Sequence, residues 1–138
     1  MNENTISCGH LSQGDTPFSR ILKPGGKVYC QLPFMIGFHP GPNDYWRFSK
    51  EGIIELVKRG GLKVLSSGIT VGGGSGYYRV SVEFWSILFS FGKPPFYKPI
   101  KALFATLLYP IKWLDSFFDR SPEKDRIAGG YFVIAQKE

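Results

Sequence analysis

Lys23-Pro24-Gly25-Gly26-Lys27-Val28-Tyr29-Cys30-Gln31-Leu32-Pro33 places a chain reversal directly in front of a strand. Proline presets φ at about −65° and the glycines supply the positive φ that a type II turn requires. From Lys27 onward, Val28, Cys30 and Leu32 alternate with Lys27, Tyr29 and Gln31, the period of a strand with one apolar face, and Pro33 ends its ladder. Outward from there, residues 34–48 gather His39, Asp44, Tyr45, Trp46 and Arg47 between breaks at Gly37, Pro40-Gly41 and Pro42, until Ser49 offers an N-cap to a helix. That is a dense chemical inventory for one loop.

Two motifs here carry a resemblance. Ile21-Leu22-Lys23-Pro24-Gly25-Gly26-Lys27-Val28 resembles the turn that leads into strand 5 of class I S-adenosylmethionine-dependent methyltransferases. Pro33-Phe34, His39 and Asp44-Tyr45-Trp46-Arg47-Phe48-Ser49 with Glu51-Gly52 are similar to a pattern in one group of that family, the type 11-like methyltransferases. The resemblance covers residues 18–137 and only the C-terminal half of such a domain. It implies a three-layer, Rossmann-like α/β fold with a mixed sheet, whose last strand runs antiparallel between the strands of residues 27–32 and 62–71. It also implies S-adenosylmethionine as methyl donor. The Gly-rich turn and the acidic strand end that would hold the donor are not recognised among these residues, so the expectation is a partial domain that is inactive alone and needs a complementing chain or segment.

Composition bounds the alternatives. The chain has 138 residues, 43% hydrophobic and 20% charged, which is a globular composition with room for one ordinary domain. Aromatic residues make up 16%, concentrated after residue 77, as on a surface meant to be covered. Net charge is +6. Lysine and arginine are nevertheless scattered singly, with no arginine-rich run or basic helix face to track phosphates, which argues against nucleic acid. Cys8 lies in a polar tail and Cys30 on an apolar strand face, so a disulfide framework is not expected. Cys8-Gly9-His10 lacks the further ligands of a zinc site, and no metal is expected. Residues 1–17 have neither the basic start nor the apolar run of a secretory signal, so the expected location is cytoplasmic, with a peripheral membrane position left open.

Along the chain, residues 1–17 are polar and without period and read as a disordered or non-family start. Residues 49–60 form a helix by pattern: Ser49 caps, Glu51 suits the positive end of the dipole, Ile53, Ile54, Leu56 and Val57 make one face, and Gly60-Gly61 stop it. Residues 62–71 read as a strand in which Gly68 marks a bulge or an edge. Gly72-Gly73-Gly74-Ser75-Gly76 has a cofactor-like glycine spacing, yet it follows the Lys-Pro-Gly-Gly turn and is not followed by an acidic strand end, so it reads as a hinge.

Residues 77–118 form an apolar helical region of two helices, 77–91 and 97–118, separated by Gly92-Lys93-Pro94-Pro95. The region's longest uncharged run, residues 102–111, is ten residues where a membrane span needs about twenty. Two readings stay open for it: a lid over the domain, or an interfacial insertion with Lys98, Lys101 and Lys112 at anionic headgroups. Residues 127–136 read as a strand apolar on both faces, and so interior to a sheet.

In the loop, His39 could serve as a general base, Asp44 or Arg47 could orient a polar acceptor, and Tyr45 and Trp46 could stack on it. The alternative is structural: Asp44 pairing with Arg47, and Trp46 with Phe48 anchoring the loop. Three functional classes follow. The first is a partial methyltransferase with an unknown methyl acceptor; the second is a non-catalytic module that self-associates or binds an anionic membrane through the aromatic helices; the third is a basic nucleic-acid binder.

Overall fold

The Lys-Pro-Gly-Gly reversal forms as read. In the computed structural model, which describes residues 5–8, 21–38 and 46–138, Gly25 has φ +80° and the Gly26 N–H donates to the Lys23 carbonyl at 2.9 Å. The turn is pinned by the far end of the chain. Gly25 N–H donates to the Lys137 carbonyl at 2.8 Å, Lys137 N–H to the Gly26 carbonyl at 3.0 Å, and the Lys137 ammonium to the Leu22 carbonyl at 2.9 Å.

The strands are β1 (Thr5–Cys8), β2 (Lys27–Pro33), β3 (Leu62–Val71) and β4 (Gly130–Lys137). They form one sheet in the order β1-β2-β4-β3. β2 and β4 are antiparallel, and β4 lies between β2 and β3, the arrangement expected from the sequence. The protein is thus mixed α/β. Register explains why β4 is central: Val28, Cys30 and Leu32 stand opposite Ala135, Val133 and Tyr131, and all six are buried. On the opposite face Tyr29 stacks on Phe132 with ring centroids 5.8 Å apart. As an interior strand, β4 has its two edges covered by β2 and β3, so its backbone groups are paired within the sheet.

Two expectations are corrected here, and a third is narrowed. Residues 1–17 were read as without regular structure, but Thr5–Cys8 form β1, parallel to β2; the other residues of that segment lie outside the described ones. Cys8 stands in a polar tail by sequence, whereas the register sets it opposite Cys30 on the neighbouring strand; Cys30 is buried. Gly68 marks an outer strand, as read, and no bulge is needed to explain it, because a Cβ there would stand 2.8 Å from the Phe132 ring. It is glycine so that Phe132 can lie flat across β3.

Helix α1 (Lys50–Arg59) starts as expected, with the Ser49 hydroxyl accepting from the Gly52 N–H at 3.1 Å. Ile53 and Val57, one turn apart, are fully buried, and α1 packs on β4. Each such side chain contributes about 1.5–3 kcal/mol. These elements belong to the first of two compact units, Met1–Phe34 with Pro40–Thr70 and Gly130–Glu138.

The second unit comprises Met35–His39 and Val71–Gly129. It holds α2 (Gly73–Ser90), α3 (Pro94–Leu107), a 3-10 segment (Tyr109–Leu114), the short α4 (Asp115–Phe118) and a 3-10 turn at Lys124–Arg126. The helices depart from the sequence reading in three places. Gly73 to Gly76 are not a hinge but the first turn of α2. Pro94 and Pro95 do not merely separate helices: they open α3, where a missing N–H is harmless. The helix expected over 97–118 ends at Leu107, and Pro110 falls in the 3-10 segment that follows.

Candidate functional site

The candidate loop is anchored at both ends within the first unit. Phe34 contacts the Tyr131 ring at a centroid distance of 5.6 Å, and beyond the loop the Phe48 N–H donates to the Pro33 carbonyl at 3.1 Å. The loop therefore leaves and returns at the end of β2, directly before the cap of α1. Of the five candidate residues, Trp46 and Arg47 are described and both are exposed, Trp46 at 41%. His39, Asp44 and Tyr45 lie outside the described residues, so their geometry with Trp46 and Arg47 is not part of this structure. Phe34 and Phe48, at the two ends of the loop, are half-buried.

The glycine-rich turn at residues 72–76 does not fit a nucleotide-like donor. Its helix N-terminus would ordinarily be an anion site, but a carboxylate of the chain already fills it. Asp115 accepts from the Gly74 N–H at 2.7 Å and from the Ser75 N–H at 3.2 Å, and it also accepts from the Ser75 hydroxyl. The packing is close enough that a Cβ on Gly72 would stand 2.3 Å from the Asp115 carboxylate, and one on Gly74 2.7 Å from the Ile111 carbonyl. The glycines admit this acid and the adjoining backbone. Sequence reasoning had no means of finding Asp115, since it lies about forty residues away and only folding brings it to the α2 terminus.

A second polar cluster also escaped the sequence. Glu83 on α2 accepts from both the Tyr97 hydroxyl and the Lys101 ammonium on α3. Burial acts to raise the Glu83 carboxyl, but the hydrogen bonds from Lys101 and Tyr97 and the lysine's charge outweigh it, and the net shift is downward. Lys101 is raised, chiefly by its hydrogen bond to Glu83. Tyr97 and Lys101 stand one helical turn apart, which is visible in the sequence; their partner across the Gly92 turn is not. Among the described residues no group of three or more His, Cys, Asp or Glu could hold a metal ion.

No protein-family model matches the sequence, and no curated protein matches it. Among solved structures, phosphoethanolamine N-methyltransferase 2 of Haemonchus contortus, in complex with S-adenosyl-L-methionine, is similar at 19% identity and a TM-score of 0.46, over 97% of this chain and 33% of that one. The cyclase SpnF is similar at 16% identity and a TM-score of 0.42, over 87% of this chain and 42% of that one. YjhP from E. coli is similar at 15% identity and a TM-score of 0.36, over 98% of this chain and 57% of that one. The chain spans less than two thirds of the length of each of these structures.

Proposed function

We propose that this chain is part of a class I, type 11-like S-adenosylmethionine-dependent methyltransferase domain, contributing the β2–β4–β3 end of the sheet and the loop that meets the methyl acceptor. The observation that carries the reading is β4, antiparallel to β2 and placed between β2 and β3, as the sequence resemblance implies. The exposed Trp46 and Arg47 on a loop tied down at Phe34 and Phe48 support it, because neither side chain is committed to the core.

Methyl transfer is an in-line displacement, so the protein's part is chiefly to hold donor and acceptor at attacking distance. S-adenosylmethionine would supply the methyl group. On this reading Trp46 with Tyr45 stacks on the acceptor, Arg47 or Asp44 orients a polar group on it, and His39 takes the proton it releases. Donor affinity comes from a complementing segment or chain, since the glycine-rich turn within these residues is closed by Asp115.

Titration of the 138-residue chain with S-adenosylmethionine, followed by ligand-observed NMR and calorimetry, tests this. Weak saturable binding in the millimolar range, about −4 kcal/mol, is expected, with S-adenosylhomocysteine competing. Low-micromolar binding, about −8 kcal/mol, would show that the donor site is within the chain. Absence of any competed signal would place the donor site wholly in the complementing segment or chain.

A further inference from the structure

Helix α2 is built inside out. Its buried positions after the first turn are Ser81, Val82, Ser86 and Ser90, while Val80, Phe84, Ile87 and Leu88, at helical spacing, are exposed, as is its C-cap Phe91. Phe84 is 58% and Phe91 81% accessible. A helix that faces water does the reverse, burying its large apolar residues. Small residues toward a neighbouring helix and large ones outward is the pattern of helices surrounded by lipid. The serines conform to it as well, since the Ser86 hydroxyl donates to the Val82 carbonyl and the Ser90 hydroxyl to the Ile87 carbonyl, so neither needs water.

Helix α3 continues the pattern. No residue of it is buried, and Phe96, Leu103 and Leu107 expose one stripe, Leu103 to 63%. The pair is held by other contacts: the Glu83, Tyr97 and Lys101 cluster, the hydrogen bond from the Tyr78 hydroxyl to the Ala105 carbonyl at 3.1 Å, and the Phe104 ring stacked on Trp85 and Phe89. The exposed stripes are therefore surplus to the hairpin's own packing. Beyond α3, Trp113 is 73% exposed and Phe117 is also exposed.

Charge decides what covers this face. Residues 84–114 contain no Asp or Glu and four lysines, Lys93, Lys98, Lys101 and Lys112. Lys101 is paired with Glu83 on α2, so Lys93, Lys98 and Lys112 carry the surplus charge; a second copy would bring the same surplus, which an anionic headgroup layer answers. Among the described residues no helix is long and apolar enough to cross a membrane, so the helices would lie in the interface plane.

We propose that the α2–α3 hairpin and the 3-10 segment after it are a docking surface for anionic lipid, with the aromatic and aliphatic stripes in the acyl boundary and Lys93, Lys98 and Lys112 at the headgroups. This does not rest on the methyltransferase reading, and its test involves no methyl donor. The 138-residue chain should sediment with phosphatidylcholine vesicles that contain phosphatidylserine, far less with phosphatidylcholine alone, and progressively less as salt is raised. Lys93→Gln with Lys98→Gln should weaken binding about 25-fold, from about five-fold per lysine. Phe91→Ser and Leu103→Ser should each weaken it about ten-fold. Lys63→Gln, outside the hairpin, should leave it unchanged, and unaltered helical circular dichroism would show that each variant folds. Failure to sediment with either vesicle overturns the proposal, as does binding that ignores phosphatidylserine and salt. A loss in Lys63→Gln equal to that in the hairpin variants would overturn it in favour of undirected charge attraction, and a stable dimer that does not bind vesicles would assign the face to a second copy.

Discussion

Single residues set the close approaches in this protein. Gly25 is required by its own backbone: at φ +80° any L side chain crowds the following carbonyl. Gly25→Ala should cost about 1–2 kcal/mol, read as a lower urea midpoint with an unchanged slope. Asp115 acts as a side-chain cap for α2 supplied from a distant part of the chain. Asp115→Ala should cost about 1–2 kcal/mol, by analogy with local caps, while Asp115→Asn, whose amide oxygen still accepts, should cost about half as much. Equal midpoints for wild type and Asp115→Ala would mean that the carboxylate contributes nothing to the helix start. Neither the glycines of 72–76 nor Gly68 could be understood from sequence. A run of small residues says that something comes close, and Asp115 and Phe132 are what comes.

At the scale of elements, capping and periodicity account for α1 and the strands, and proline chemistry for the breaks in the aromatic region. The α2–α3 pairing is different, because its polar lock joins residues that the chain does not keep together. Its pH dependence follows from the directions of the two shifts. Glu83 titrates below its ordinary value of 4.5, so its contribution is complete above that value and is lost as the pH falls through the lower folded pKa. Lys101 titrates above 10.5, so its contribution is complete below that value and is lost as the pH rises through the higher folded one. Helical stability should therefore be flat near neutrality and fall on both sides. Both side chains are more than a third exposed, so the pair is worth about 1 kcal/mol or less. Glu83→Gln should flatten the acid limb of thermal unfolding followed by helical circular dichroism. An unchanged acid limb would show that other carboxylates control it.

For the molecule as a whole, burial is uneven. Among the described residues the buried apolar side chains lie almost all in the unit that contains the sheet, with Val82 and Ala128 the exceptions. Local stability should follow that distribution. Native-state hydrogen exchange is expected to be slowest at the β2 and β4 amides of Cys30, Val133 and Ala135, and fastest, among helical amides, in α3, which buries nothing. Protection in α3 equal to that in β4 would show that its exposed stripes are covered in solution, by a second copy or another partner.

By itself the sequence determined the local grammar: the turn at Lys23-Pro24-Gly25-Gly26, the alternation of β2, the cap and face of α1, and the two-sided apolarity that makes β4 an interior strand. These are written in residue types a few positions apart, where propensity, backbone geometry and periodicity act. It also marked the loop with Trp46 and Arg47 as chemically dense. Only the tertiary structure decided that Thr5–Cys8 join the sheet, that Asp115 closes the glycine-rich turn, that Phe132 requires Gly68, and that α2 turns its serines inward and its phenylalanines out. Each of these depends on partners roughly twenty or more residues apart, or on which face of an element meets another. The energy that settles such choices comes from packing and burial after the chain has folded back on itself, and no local pattern records it.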